Sequence, residues 1–390
     1  MISTRLFLCA LLSYACVSLP MAAQAVPVTT LYAFANVADG YFPRTALIHE
    51  TTSGGELLLG TTQQGGASQS GTVFSYNLTT NVKSTVHSFG SAEADPLGGL
   101  VSFSLAGVPY LYGTTAMGGT SGRGTIYRID LATLSIETTR YSFPTGNHGR
   151  FPIDTLIKLG GALYGVTENG GSADDGTIFK FKPANDAVSQ LNVFTGGADA
   201  RFPYGGFVNI NGTLYGTTHE GSTGDEGTLY KFDPSTNIRT TLFSFGAGSN
   251  GVNPAATLIS NVTAGGTVLY GTTGAGGSGF GTVFSYGVGS GVVTTLHAFT
   301  SGTDGANPYS GLTKLGKYLY GTTTGGGSTG MGTVFSIKIA TGAYTVIHTF
   351  TGGSEGRNPY GDLLAIGQTL YGTTRQGGAA DFGTLFSIIP

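Results

Sequence analysis

The sequence predicts an all-β fold, a seven-bladed β-propeller with four-stranded blades. Three observations carry the prediction. One short motif, Leu-Tyr-Gly-Thr-Thr, recurs seven times at a near-constant interval. Each repeat holds four short strand-like runs separated by turn residues. The strand missing from the last repeat is found at the opposite end of the chain.

The motif glycine falls at Gly60, Gly113, Gly165, Gly216, Gly271, Gly321 and Gly372, at intervals of 53, 52, 51, 55, 50 and 51 residues. Self-similarity at this period marks stacked supersecondary units. The sixth copy shows the unit best. Strand a is predicted over Gly311–Leu315, strand b over Tyr318–Thr323, strand c over Gly332–Ile337 and strand d over Tyr344–Phe350. Tyr, Phe, Val, Ile and Thr dominate these runs, and Gly, Asn, Ser or Pro bound them. No segment sustains a helical period, and four strands per repeat at this spacing describe a propeller blade.

The chain stops in a strand c, Gly383–Ile389, so the seventh blade lacks its strand d. Val28-Thr29-Thr30-Leu31-Tyr32-Ala33-Phe34 matches the strand d sequence Val293-Thr294-Thr295-Leu296-His297-Ala298-Phe299. The N-terminal segment 28–34 is therefore expected to complete the last blade and close the ring, covering an edge that would otherwise invite aggregation.

Residues 1–25 read as a secretory signal. Arg5 supplies a positive start, Leu6–Leu19 an apolar run, and Ala23-Gln24-Ala25 a cleavage site. Residues 26–390 are then a single propeller domain, secreted to the periplasm or the medium, without a membrane span once the signal is removed. Both cysteines, Cys9 and Cys16, fall in the signal. Cys16 is a poor match to a lipidation site. The mature chain then has no thiol, which excludes disulfides, cysteine nucleophiles and cysteine-held zinc. Charged residues make up 10 % of the chain and the net charge is −3. No basic stripe is present, so nucleic acid is not an expected partner. A monomer is expected.

The run Leu111-Tyr112-Gly113-Thr114-Thr115, then Gly118-Gly119, then Gly124-Thr125-Ile126-Tyr127, resembles the GloVer tandem repeat, a family of secreted bacterial proteins. The match recurs in all seven units, with Leu59 replacing Tyr in the first and Val166 replacing Thr in the third. Many members of that family carry a C-terminal sorting anchor. This chain ends inside the last blade and so looks like a released or periplasmic form. The resemblance implies a fold and a compartment, with no reaction and no catalytic residues to carry over.

Residues present in every copy read as scaffold. Phe34, Phe89, Phe143, Phe194, Phe245, Phe299 and Phe350 close each strand d and are expected to pack between blades. The motif glycine is expected to let neighbouring blades approach closely. His87, His297 and His348 share one position with Tyr and Phe in other copies, which favours a structural role. Between strand d and the next strand a lies a turn with Asp or Asn four residues before Pro, as in Asp39–Pro43, Asn250–Pro254 and Asp304–Pro308. Calcium is the one ion considered at these turns, but they lack the dense oxygen spacing of a strong calcium loop, and no cofactor is expected.

Function is then sought where copies differ on the face that carries the d–a and b–c loops. Copies three and four are the charged ones. Their candidate catalytic residues are His148, Glu168, Asp199, His219 and Glu220; their candidate ligand-binding residues are Arg150, Arg201, Asp174, Asp175, Asp225 and Glu226, joined by Arg375 from copy seven. Paired carboxylates suit glycosidic acid–base work, and His with Arg suits proton abstraction beside a uronate. Two readings follow. One is a binding module for a glycan or partner protein, with Tyr41, Tyr204, Tyr309 and Tyr360 available for stacking in a chain that has no Trp. The other is a carbohydrate-active enzyme, a lyase or hydrolase. A structural envelope protein is the third possibility, with the charges a solvated rim.

Overall fold

The computed structural model describes residues 26–246 and 248–390. The predicted signal and its cysteines lie outside these residues. Seven small antiparallel sheets form the ring, each built from strands a, b, c and d in that order. Blade six has strand a at Thr313–Leu315, b at Tyr318–Thr323, c at Thr333–Lys338 and d at Tyr344–Thr349. No α-helix occurs among the described residues, and no helix there is long and apolar enough to cross a membrane.

The ring closes as the sequence predicts. Thr29–Ala33 pairs antiparallel with the final strand, Thr384–Ile388, with Thr30 opposite Phe386 and Ala33 opposite Thr384. Val26 reaches on to blade six, where its N–H donates to the Ile347 carbonyl at 3.0 Å and its carbonyl faces Nδ1 of His348 at 2.9 Å.

Each core cluster bridges two consecutive blades. The strand d phenylalanine lies edge-on to the strand c aromatic of the next blade in all seven junctions: Phe34 on Phe74, Phe89 on Tyr127, Phe143 on Phe179, Phe194 on Tyr230, Phe245 on Phe284, Phe299 on Phe335 and Phe350 on Phe386. The ring centres are 5.1–5.4 Å apart. Such edge-to-face pairs add roughly 0.5–1.5 kcal/mol each beyond area burial. His87, His297 and His348 stand edge-on to that same phenylalanine at 4.8–5.0 Å, so they extend the packing.

The motif glycine serves a different neighbour from the expected one. A Cβ at Gly321 would lie 2.6 Å from Phe335 and 2.9 Å from Leu312, both in the same blade. Glycine here makes room for the blade's own strand c ring, which covers it, rather than for the adjacent blade. The second motif threonine bonds the first threonine of strand c in every blade, as in Thr115–Thr125 at 2.7 Å and Thr323–Thr333 at 2.9 Å. This hydroxyl pair explains why Gly-Thr-Thr and the later Gly-Thr recur together.

The turns before Pro hold the blades together at one face. The residue preceding each Pro is left-handed in all seven copies, from Asp95 at φ 54° to Phe42 at φ 60°. Its N–H donates to the carbonyl just before strand c of the previous blade, as in Phe151 to Arg123 at 3.0 Å and Asn307 to Phe280 at 2.8 Å. The Pro ring then lies on the glycine that opens that strand c. At Gly332, with φ +99°, a Cβ would collide with the Thr323 carbonyl and sit 2.8 Å from Cδ of Pro359. The d–a and b–c loops of each blade also pair with each other, for example Gly149–Arg150 with Asn169–Gly170. Both sets of loops therefore emerge on a single face, around the central channel.

Candidate functional site at the channel mouth

The three residues after each Pro turn inward and line the channel. The first of them varies from blade to blade: Arg44, Leu97, Ile153, Tyr204, Ala255, Tyr309 and Tyr360. A cavity of about 230 Å³ opens there, lined by Arg44, Asp154, Glu168, Tyr204, Tyr309, Tyr360 and Asp362 among others. Its volume is below the ~300–1,000 Å³ of sites that enclose a drug-sized ligand.

Three consecutive blades contribute a stacked column. Tyr309 and Tyr360 lie nearly parallel, 16° apart with centres at 5.5 Å. The Arg44 guanidinium sits 4.2 Å from the centre of the Tyr360 ring. On blades three and four, Tyr204 donates from its hydroxyl to Glu168 at 3.0 Å, and its ring lies 4.9 Å from that of His219. All three tyrosines are half-buried.

Asp154 and Asp362 stand in the same channel. Asp154 Oδ2 accepts from the Gly206 N–H and from the Thr257 hydroxyl at 2.9 Å. Asp362 Oδ1 accepts from the Gly311 N–H at 2.6 Å. Burial pushes the Asp154 carboxyl up to about 6, with the charge of Asp362 adding to it and hydrogen bonds opposing it. Burial raises Asp362 and Glu168 as well. It lowers His219, against the pull of Glu220. Nothing in the structure explains Val166, the departure in copy three, since Thr114, Thr217 and Thr373 keep the motif threonine although their hydroxyls find no partner among the described residues. In blades one and six the motif threonine bonds a hydroxyl two residues after Pro, as Thr61 does with Thr45. In blade three that position is Asp154, whose carboxyl turns to Gly206 and Thr257 instead.

Of the residues singled out by sequence, Glu168, Tyr204, Tyr309 and Tyr360 line the cavity, and His219 packs against Tyr204. The others lie outside its lining. Glu220 pairs with Arg201 at 2.8 Å and lies 3.7 Å from His219. Arg150 bonds Asp174, with Nε donating at 2.9 Å, and Arg201 bonds Asp225, with Nε donating at 3.0 Å. Arg357 and Asp381 repeat this pair in blade seven at 2.8 Å. Asp199 bonds Arg239 at 2.6 Å and the Thr195 hydroxyl at 2.8 Å. It corresponds to Asp39 with Lys83 and to Asp304 with His297. His148 is exposed at a loop tip. Asp175 and Glu226 supply the backbone carbonyls that accept from Phe202 and Asn253, each at 2.9 Å. Arg375 lies 5.1 Å over the ring of Phe42. Among the described residues, no three His, Asp or Glu side chains are grouped so as to hold a metal ion.

Arg44, Asp154 and Asp362 were not among the sequence candidates. Their signal was available: Asp154 and Asp362 each depart from small residues at a fixed distance after Pro, and Arg44 is the one charged residue at a position that varies from blade to blade.

Solved structures share the architecture. An extracellular domain of a one-component system from B. thetaiotaomicron matches with a TM-score of 0.57 at 13 % identity, over 93 % of this chain and 40 % of that one. An oligogalacturonate lyase solved with manganese matches at 0.56 and 12 % identity, over 94 % of both chains. The oligogalacturonate lyase of Vibrio parahaemolyticus matches at 0.57 and 9 % identity, over 93 % of both. At these identities the likeness is one of fold. No curated protein sequence matches the chain. The model of the Gloeobacter/Verrucomicrobia repeat matches residues 19–157, 105–278 and 259–390, and the chain belongs to that repeat family.

Proposed function

We propose that the chain is a secreted binding module that takes the end of a saccharide at the mouth of its central channel. The observation that carries this is the Arg44–Tyr360–Tyr309 column facing the cavity that Tyr204 and Glu168 also line. Aromatic faces stack on the apolar face of a sugar ring, and the flanking carboxylates accept hydrogen bonds from its hydroxyls. The cavity is small and concave. A stable protein interface needs ~1,000 Å² or more of buried surface, so a chain end fits this site better than a protein surface does.

The test is a polysaccharide panel scored for retention and for new reducing or unsaturated ends. Wild type retains at least one polymer, and Tyr309→Ala with Tyr360→Ala weakens retention at least about tenfold, a loss of ~1.4 kcal/mol or more. Retention that survives the double substitution overturns the site. One observation keeps the enzyme reading open to the same assay: burial raises Glu168, as it would a general acid, against the lowering pull of the Tyr204 hydroxyl and of Arg150. Cleavage lost in Glu168→Gln supports that reading, and retention without cleavage supports the binding module.

A further inference from the structure

We propose that the ligand group entering the channel is a protonated amine, so that the site selects an amine-bearing saccharide over a uronate; the proposal rests on the saccharide reading above. The cavity lining holds three carboxylates, Asp154, Glu168 and Asp362, against one guanidinium, Arg44. That guanidinium is already engaged with the Tyr360 ring and with Gln63. A uronate entering here would meet like charge where water is partly excluded, and the repulsion is strong at low dielectric.

The acids are not required by the scaffold. The second position after Pro is Thr45, Gly98, Gly205, Ala256, Ser310 or Gly361 in the other blades, and Asp154 in the third. The third position is Ala46, Gly99, Thr155, Gly206, Thr257 or Gly311, and Asp362 in the seventh. Six blades of seven thus close the channel with small residues at each position. A partly buried carboxylate without a cation partner costs the fold stability, so its presence asks for a ligand that supplies the cation.

The acceptors are also held in place. The Gly206 N–H, the Thr257 hydroxyl and the Thr155 N–H fix Asp154. Gly311 fixes Oδ1 of Asp362, while Oδ2 accepts no hydrogen bond among the described residues. An ammonium carries three donors and no acceptor, which suits a free carboxylate oxygen. The tyrosines that line the cavity add apolar contact for the sugar ring that bears it.

The experiment is titration calorimetry of the whole protein, near neutral pH, with three probes of equal length: a glucosamine oligomer, its N-acetylated form and an oligogalacturonate. The glucosamine oligomer should bind at least about tenfold tighter than either of the others, as expected for one charge-assisted hydrogen bond. Asp362→Asn should bring the ratio between the glucosamine and N-acetylated probes toward one. The amide oxygen can still accept from Gly311, and a thermal midpoint checks folding; if the variant does not fold, Asp154→Asn takes its place. Equal affinity for the glucosamine and N-acetylated probes, or tighter binding of the oligogalacturonate, overturns the amine inference. The saccharide reading then stands if Tyr309→Ala weakens binding. Absence of binding by all three probes, or binding indifferent to Tyr309→Ala, overturns both.

Discussion

Closing the ring with segment 28–34 makes a prediction whose size follows from the structure. Phe34 is fully buried, edge-on to Phe74 at 5.2 Å and to Tyr32 at 5.3 Å. Truncating such a ring to Ala costs about 3–5 kcal/mol in transfer and cavity terms. Unfolding entropy near 2.1 cal/mol/K per residue over about 365 residues is ~0.8 kcal/mol/K, so Phe34→Ala should lower the thermal midpoint by about 4–7 °C. Deleting residues 26–36 should do more. It strips the partner from Thr384–Ile388, where Leu385 and Phe386 are fully buried, and it leaves an open strand edge. Calorimetry should show a lower midpoint with loss of a single cooperative transition, and light scattering should show association on heating. A midpoint within about 1 °C of wild type in both variants would mean that the last blade does not depend on its borrowed strand, and the closure argument would fail.

Two further outcomes test the scaffold and the channel. Gly332→Ala forces a side chain into left-handed backbone against the Thr323 carbonyl and Pro359, and should destabilise by at least ~2 kcal/mol in denaturant titration, from strain and clash together. Asp154→Asn tests the enclosed carboxyl. Its folded-state value is raised from 3.8 to about 6, so the folded state holds the proton more tightly than the unfolded chain does. The stability this contributes is complete below the unfolded value and is lost as pH rises through about 6. At ~1.4 kcal/mol per pH unit the loss approaches 3 kcal/mol. The variant should therefore gain on wild type as pH rises from about 3.8 to about 6, read as diverging denaturant midpoints. Parallel midpoints across that range would refute the assignment.

The fold was legible because the same constraint repeats seven times. Each blade must place a ring over a glycine, pair two threonines and seat a Pro on the next glycine, so the residues recur at a fixed spacing and read as a pattern. Closure was legible for the same reason, since Val28–Phe34 carries a strand d signature out of place. The role of the motif glycine was less legible. Cross-strand register, Gly321 opposite Phe335, decides which ring fills its space, and register is not visible from one repeat alone.

Charge proved a weaker guide than position. Arg150 with Asp174, Arg201 with Asp225 and Arg357 with Asp381 are each separated by 24 residues, and that fixed spacing in three blades is the mark of an ion pair that ties the d–a loop to the b–c loop of its own blade. Blade one makes the same tie without charge, from the Tyr41 hydroxyl to Gln69 at 2.9 Å. A feature that can be replaced by a neutral pair belongs to the scaffold, and exposed pairs of this kind are worth ~1 kcal/mol or less. The residues after Pro behave in the opposite way. The backbone there is the same in every blade, yet the side chains run from Gly and Ala to Arg, Tyr and Asp. Where geometry is constant and chemistry is not, packing cannot be what selects the side chain. This singles out Arg44, Asp154, Tyr204, Tyr309, Tyr360 and Asp362 more sharply than the number of charges in any loop does.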